Sequence, residues 1–269
     1  MAESGKFEVR FWGVRGGIAC PGPSTARYGG NTPCIEVRLG RHTLILDAGT
    51  GIHLLGQALN ERSPVAADIF FSHTTLERIG GIPFFTAAYN PKNTFRIWAG
   101  HLSTRPGVQE VLAGLMAEPV FPVPIGIMGA RLEFNDFGAG ETLEPAPGVR
   151  LRSAALNRSL PVIGYRIEWN GKSVGYVSDL IAGPEGDEAA ALALLEDADL
   201  AIFNTAENAP GAADWRCGAR LCDLAGAKTY VVFHHSPDHD DAAMDKIAAE
   251  AQALRPGTVI AREGMTLTP

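Results

Sequence analysis

Cysteine is scarce: Cys20, Cys34, Cys217 and Cys222 form no C-x-x-C pair, and no histidine pair stands beside them at zinc-finger spacing. A zinc knuckle and a disulfide framework are excluded on that ground, and reduced, partly buried thiols are expected in a cytoplasmic protein. Long apolar runs are also missing, so no segment is long enough to span a bilayer. Met1 to Arg10 mixes Glu3, Lys6, Glu8 and Arg10 with few apolar residues, which is not the pattern of a signal peptide. Positive charge is in deficit, with 23 basic against 30 acidic residues and a net charge of −7. That balance excludes an extended nucleic-acid-binding face but leaves room for a local basic pocket. What is present is 269 residues, 46% hydrophobic and 20% charged, enough chain to bury roughly 73% of its extended surface without staples.

Apolar, β-branched and aromatic runs divided by glycine-rich turns predict strands at Phe7 to Trp12, Cys34 to Leu39 and Thr43 to Asp47, read as an antiparallel meander. A helix is expected from Ile52 to Leu59, then a strand from Asp68 to Ser72. A second round follows, with strands at Phe95 to Ala99, Leu132 to Phe134, Val149 to Ala155, Gly164 to Trp169, Ser173 to Ser178, Leu200 to Asn204 and Thr229 to His234. Helices are expected at Pro106 to Ala117, Glu185 to Asp197, Trp215 to Ala225 and Asp240 to Leu254. Asn170-Gly171 is the strongest hairpin signal. Strands with helices interspersed suggest two sheets packed face to face with helices outside. Polar residues follow apolar strands abruptly at His73, at Asn157 and Arg158, at Asp179, at Asn204 and at His234-His235. Strand ends carried by a rigid sheet are where sites are built, so these residues are the candidates.

The segments FWGVRGG (Phe11 to Gly17), RYGGNTPCIEV (Arg27 to Val37), LILDAGTGI (Leu44 to Ile52), FFSHTTLERIGGIPFF (Phe70 to Phe85), GYRIEWNGKSVGYVSDL (Gly164 to Leu180) and VVFHHSPDHDD (Val231 to Asp241) stand in the order found in the metallo-β-lactamase fold. The chain resembles the phosphodiesterase branch of that family, related to ribonuclease Z. The resemblance implies an α/β protein, an αββα four-layer sandwich in a single domain over residues 1–269. It also implies a dinuclear zinc or manganese centre whose bridging water attacks phosphorus or a carbonyl carbon.

The departures from the family pattern bear on function. Where the family has H-x-H-x-D-H, this chain has His73, Thr75, Glu77 and Arg78. The later N-H-P histidine corresponds to Arg158, and the family's G-H-S segment to Gly211-Ala212-Ala213. The bridging carboxylate is kept as Asp179, and the last histidine ligand corresponds to one of His234 and His235, which we place at His235. Asp47, His234 and Asn204 then fall where the family supports its ligands by hydrogen bonds. One site keeps His73 and Asp179; the other keeps Asp179 and His235, with Glu77 as a substitute. Guanidinium groups cannot ligate a cation, but Arg78 or Arg158 can pair with Asp179.

Each residue also has a plainer reading: His73 as a core histidine, Asp179 as a carboxylate paired with an arginine, Asp47 as a helix cap. The sequence therefore leads to a protein whose dinuclear centre is dismantled and which needs no metal cofactor. In this reading it binds a small anionic, phosphorylated ligand through Arg78, Arg158 and His235, or a protein partner. The alternative is a metal-dependent phosphodiesterase with one zinc or manganese ion on Glu77, Asp179 and His235.

Overall fold

The computed structural model describes residues 5–102, 106–159, 161–181, 183–204 and 214–269. Its first half runs β1 (Phe7–Gly13), β2 (Cys34–Leu39), β3 (His42–Leu46), α1 (Ile52–Asn60), β4 (Ala66–Phe71), α2 (Leu76–Ile79), β5 (Thr94–Ala99), α3 (Val108–Leu115) and β6 (Arg131–Asp136). The second half runs β7 (Thr142–Ala146), β8 (Val149–Ala155), β9 (Ile163–Trp169), β10 (Lys172–Val177), α4 (Glu188–Leu195), β11 (Leu200–Asn204), α5 (Trp215–Leu224), β12 (Thr229–Phe233), α6 (Asp241–Leu254), β13 (Val259–Ile260) and β14 (Thr266–Leu267).

Two seven-stranded sheets result, ordered β14-β1-β2-β3-β4-β5-β6 and β13-β12-β11-β10-β9-β8-β7. Each begins as an antiparallel meander, β1-β2-β3 and β8-β9-β10, and continues in parallel strands through crossovers, β3-β4-β5 and β10-β11-β12. Asn170 and Gly171 make the β9–β10 hairpin at φ 48° and 73°, the left-handed pair a two-residue turn of this kind requires.

Strand alternation builds the layers. In β3, Leu44 and Leu46 face the space between the sheets while Ile45 faces outward. In β12, Val231 and Phe233 face inward and Val232 outward. The inward residues meet Phe11, Val37, Tyr165 and Tyr176 in one central core. The outward ones are covered by α1 and α3 on the first sheet, through Leu55, Leu59 and Leu112. On the second sheet α4, α5 and α6 cover them through Leu195, Cys222 and Met244. Strands buried on both faces read as continuous apolar runs, as these do. The order of layers is helix, sheet, sheet, helix, an αββα sandwich.

Candidate functional site

In open sheets of this kind, ligands sit beyond the carboxyl ends of parallel strands, where connections diverge. Asp47 follows β3, Ser72 and His73 follow β4, Asp179 follows β10 and His234 follows β12. Three of these residues have left-handed backbone: Asp47 at φ 59°, Asp179 at φ 51° and His234 at φ 64°. Such conformations are uncommon away from glycine, and they concentrate at functional sites where the surrounding structure enforces them. The short helix α2 is docked on the loop after β3, because Ala48 N–H donates to Arg78 O (2.7 Å) and Gly81 N–H to Ala48 O (3.0 Å). That docking directs the Arg78 side chain inward.

Arg78 is fully buried and stands at the centre. Its guanidinium donates to Asp47 Oδ2 (2.9 Å), Tyr176 Oη (2.8 Å) and Asp179 Oδ2 (2.5 Å), and its Nε lies 3.4 Å from Glu77 Oε1. Asp47 is the matching hub, also accepting from Ser72 N–H (2.8 Å), Ser72 Oγ (3.0 Å) and Tyr176 Oη (2.7 Å). Asp179 further accepts from Ser178 Oγ (2.6 Å) and lies 3.9 Å from His73 Nδ1. Burial alone would raise the Asp179 carboxyl; Arg78, then His234 and His73, outweigh it and bring it down to about 2. Glu77 behaves alike. Burial pushes it up, but His234 and Arg78 hold it well below the usual carboxylate range, with the Gly17 N–H donating to it as well. Because that carboxylate is ionised, His234 Nε2, 3.0 Å away, is the donor.

Burial, and after it Arg78, lowers the His73 imidazole below its ordinary value. His101, beyond β5, has its Nε2 3.0 Å from Thr74 Oγ1, and burial with the neighbouring His73 brings it to about 4.

Not every expected residue is here. His235 turns away: it is fully buried, its Nε2 donates to Ala261 O (2.8 Å), and its ring stands edge-on to Tyr28. The imidazole at Glu77 belongs to His234, so the set Glu77, Asp179 and His235 is not assembled. Arg158 is exposed and makes no ion pair among the described residues. Its neighbour Asn157 takes the inward place, donating to Asp179 O (2.8 Å) and accepting from Ile181 N–H (2.9 Å). Thr75 is exposed at the start of α2. Asn204 ends β11; its side chain, like residues 211–213, lies outside the described residues.

Tyr176, Ser72, Gly17 and His101 had no predicted role, and Asn157 was a strand-end candidate without a stated one. Only strand alternation signals Tyr176, since it shares the inward face of β10 with Val174.

The turn after β1 is shaped around His234. A Cβ on Gly16 would lie 2.6 Å from His234 Cε1, below any real contact. Gly16→Ala is therefore expected to displace the imidazole and destabilise the protein by about 1–3 kcal/mol in urea titrations. Gly114→Ala, in α3 with open space around it, is expected to be neutral or stabilising by up to about 1 kcal/mol. Equal behaviour of the two variants would refute this role for Gly16.

The sequence profile of the beta-lactamase superfamily domain matches residues 42–235. The chain belongs to this superfamily. Its structure is similar to the metallo-beta-lactamase fold protein YhfI from Bacillus subtilis, at 17% identity and TM-score 0.71 over 98% of this chain and 100% of that one. It is also similar to a diphosphatase from the PhnP family, at 15% identity and TM-score 0.72 over 98% of both chains. Human tRNase Z, short form, aligns at 16% identity and TM-score 0.66 over 97% of this chain and 98% of that one. These likenesses establish the fold. No curated protein matches the sequence.

The resemblance sets the imidazole ligands of a dinuclear centre where this chain has Thr75, Arg78 and Arg158, none of which supplies an imidazole. The space between the carboxylates is held by a guanidinium that is already hydrogen-bonded to them. One ligand-type atom from each of His73, Glu77 and Asp179 lies within 4.8 Å of the others, but Arg78 contacts both carboxylates of that trio.

Proposed function

We propose that the protein is a non-hydrolytic member of the superfamily that acts by binding, with the hydrolytic centre replaced by a fixed guanidinium. The observation that carries this reading is the buried Arg78, directed at Asp47, Asp179 and Tyr176, among residues to which the family resemblance assigns the metal centre. Without metal there is no Lewis acid and no activated water for phosphodiester cleavage.

A protein partner suits this surface better than a small anion. Arg78 is inaccessible and already neutralised, so Arg158 is the one exposed cation of the expected pair. Near Glu77, Ile18 and Leu76 are 66% and 71% exposed. They flank Glu77, Leu76 as its chain neighbour and Ile18 as the neighbour of Gly17, which donates to it. Exposed apolar side chains grouped in this way are features of protein interfaces more than of phosphate pockets.

Protein purified without chelator is expected to hold well under one equivalent of zinc, manganese or iron and to leave bis(4-nitrophenyl) phosphate uncleaved after these metals are added. Near-stoichiometric metal whose removal lowers stability, or metal-dependent turnover, would overturn the reading.

A further inference from the structure

Three carboxylates, Asp47, Glu77 and Asp179, surround the single guanidinium of Arg78, with His234 and the Gly17 N–H also donating to Glu77. Asp47 is occupied on both oxygens, by Ser72 on one and by Arg78 and Tyr176 on the other. The remaining carboxylates, with His73, are the trio whose ligand-type atoms lie within 4.8 Å of one another. Two ligands of one tetrahedral zinc are about 3.4 Å apart, so a single ion can gather this set with small side-chain movements. One imidazole and two carboxylates, with water completing the shell, are ligand types that zinc accepts. The guanidinium contacts both acidic members and denies the ion its place.

We propose that Arg78 is a tethered occupant of a single-cation site formed by His73, Glu77 and Asp179, and that its removal yields a protein binding one divalent transition-metal ion. The proposal rests on the reading that the wild-type centre is metal-free. A guanidinium linked to the chain competes at high effective concentration, without the entropy a free ion loses on binding. A cation arriving from solution must displace it and leave it buried and unpaired, which the wild type resists. Truncation removes the competitor and leaves uncompensated negative charge that a divalent ion neutralises.

Zinc titration calorimetry of the full chain, with equilibrium dialysis, tests this on Arg78→Ala, Arg78→Lys and the double variant Arg78→Ala, Asp179→Asn. Arg78→Ala is expected to bind about one equivalent more zinc than wild type and to gain thermal stability with it. Arg78→Lys keeps a resident cation and is expected to behave as wild type. The double variant is expected to bind at least about tenfold more weakly than Arg78→Ala, which separates the site from surface histidines. If Arg78→Ala does not fold in buffer, folding on zinc but not on magnesium supports the proposal. Arg78→Gln, which keeps much of the volume without the charge, carries the same titration. No zinc beyond wild type in either Arg78→Ala or Arg78→Gln overturns the proposal. Stoichiometric zinc in the wild type would instead sink the metal-free reading of the centre.

Discussion

Arg78→Met, in metal-free buffer, is expected to lose about 3–5 kcal/mol of unfolding free energy, the penalty for removing one partner from a buried ionic cluster. The side chain has no solvent exposure, and Asp47 is equally buried, so water cannot take over the broken contacts. Asp179, at 16% side-chain exposure, retains a narrow route to solvent. Methionine fills much of the volume, so the loss is electrostatic more than steric. Asp179→Asn in the Arg78→Met background should return part of it, because it removes one of the carboxylates left behind. Urea titrations of the two single variants, the double variant and wild type give the coupling energy. A single-variant loss under about 1 kcal/mol would mean that Arg78 behaves like an exposed ion pair and that the centre is open to water.

The pairing of Asp179 with an arginine, left open between Arg78 and Arg158, was legible through the family resemblance, which set both cations beside that carboxylate, and it is Arg78 that makes it. The exposure of Arg158 was not legible. One position decides it: Asn157 uses its amide to clamp the backbone on both sides of Leu180, and Arg158, at the bend that follows, is left exposed. The choice between His234 and His235 failed for a related reason. Alternation along β12 breaks at the left-handed residue His234. Its ring turns to Glu77, while His235 pairs with the β1 turn through Val14 and Gly16 and faces the core.

At the level of the fold, strands buried on both faces announced themselves as apolar runs, and β8 runs from Val149 to Ala155 as expected. The edge strand β7 carried no such signal. Its five residues include Pro145 and are exposed or half-buried from Thr142 to Glu144, and β13 and β14 have two residues each, held by register with their neighbours. Helix α4 was expected over Glu185 to Asp197 but starts at Glu188, where the Asp187 carboxylate caps it by accepting from Ala190 N–H. Local capping, not composition, sets that boundary.

Stability should begin to fall near pH 6.5 on acidification, well above the range in which ordinary carboxylates titrate. Burial brings His235 to about 3 and His101 to about 4, and lowers His73 as well. The unfolded chain takes up these protons near pH 6.5 while the folded protein excludes them. The unfolded state therefore binds more protons between pH 6.5 and the lower folded values, and stability drops with pH across that window. At pH 5, His101 and His235 should each have surrendered about 2 kcal/mol, from 1.36 kcal/mol per pH unit. The depressed carboxyls Asp179 and Glu77 add to the loss lower down. Their unfolded counterparts protonate near 3.8 and 4.5, and the stability they confer disappears as pH falls toward the folded value, about 2 for Asp179. Asp68, raised by burial, acts in the opposite direction and offsets part of this second loss. Urea midpoints measured at pH 7.5, 6.5, 5 and 4 should thus decline before the carboxylates titrate. His235→Gln keeps a donor for Ala261 O without a titrating ring, and it should flatten the profile between pH 6.5 and 5 by about 2 kcal/mol, less than half of the loss because His101 and His73 remain. A flat wild-type profile from pH 7.5 to 5 would show that these imidazoles are hydrated in the folded protein, and an unchanged slope in His235→Gln would assign the loss to other groups.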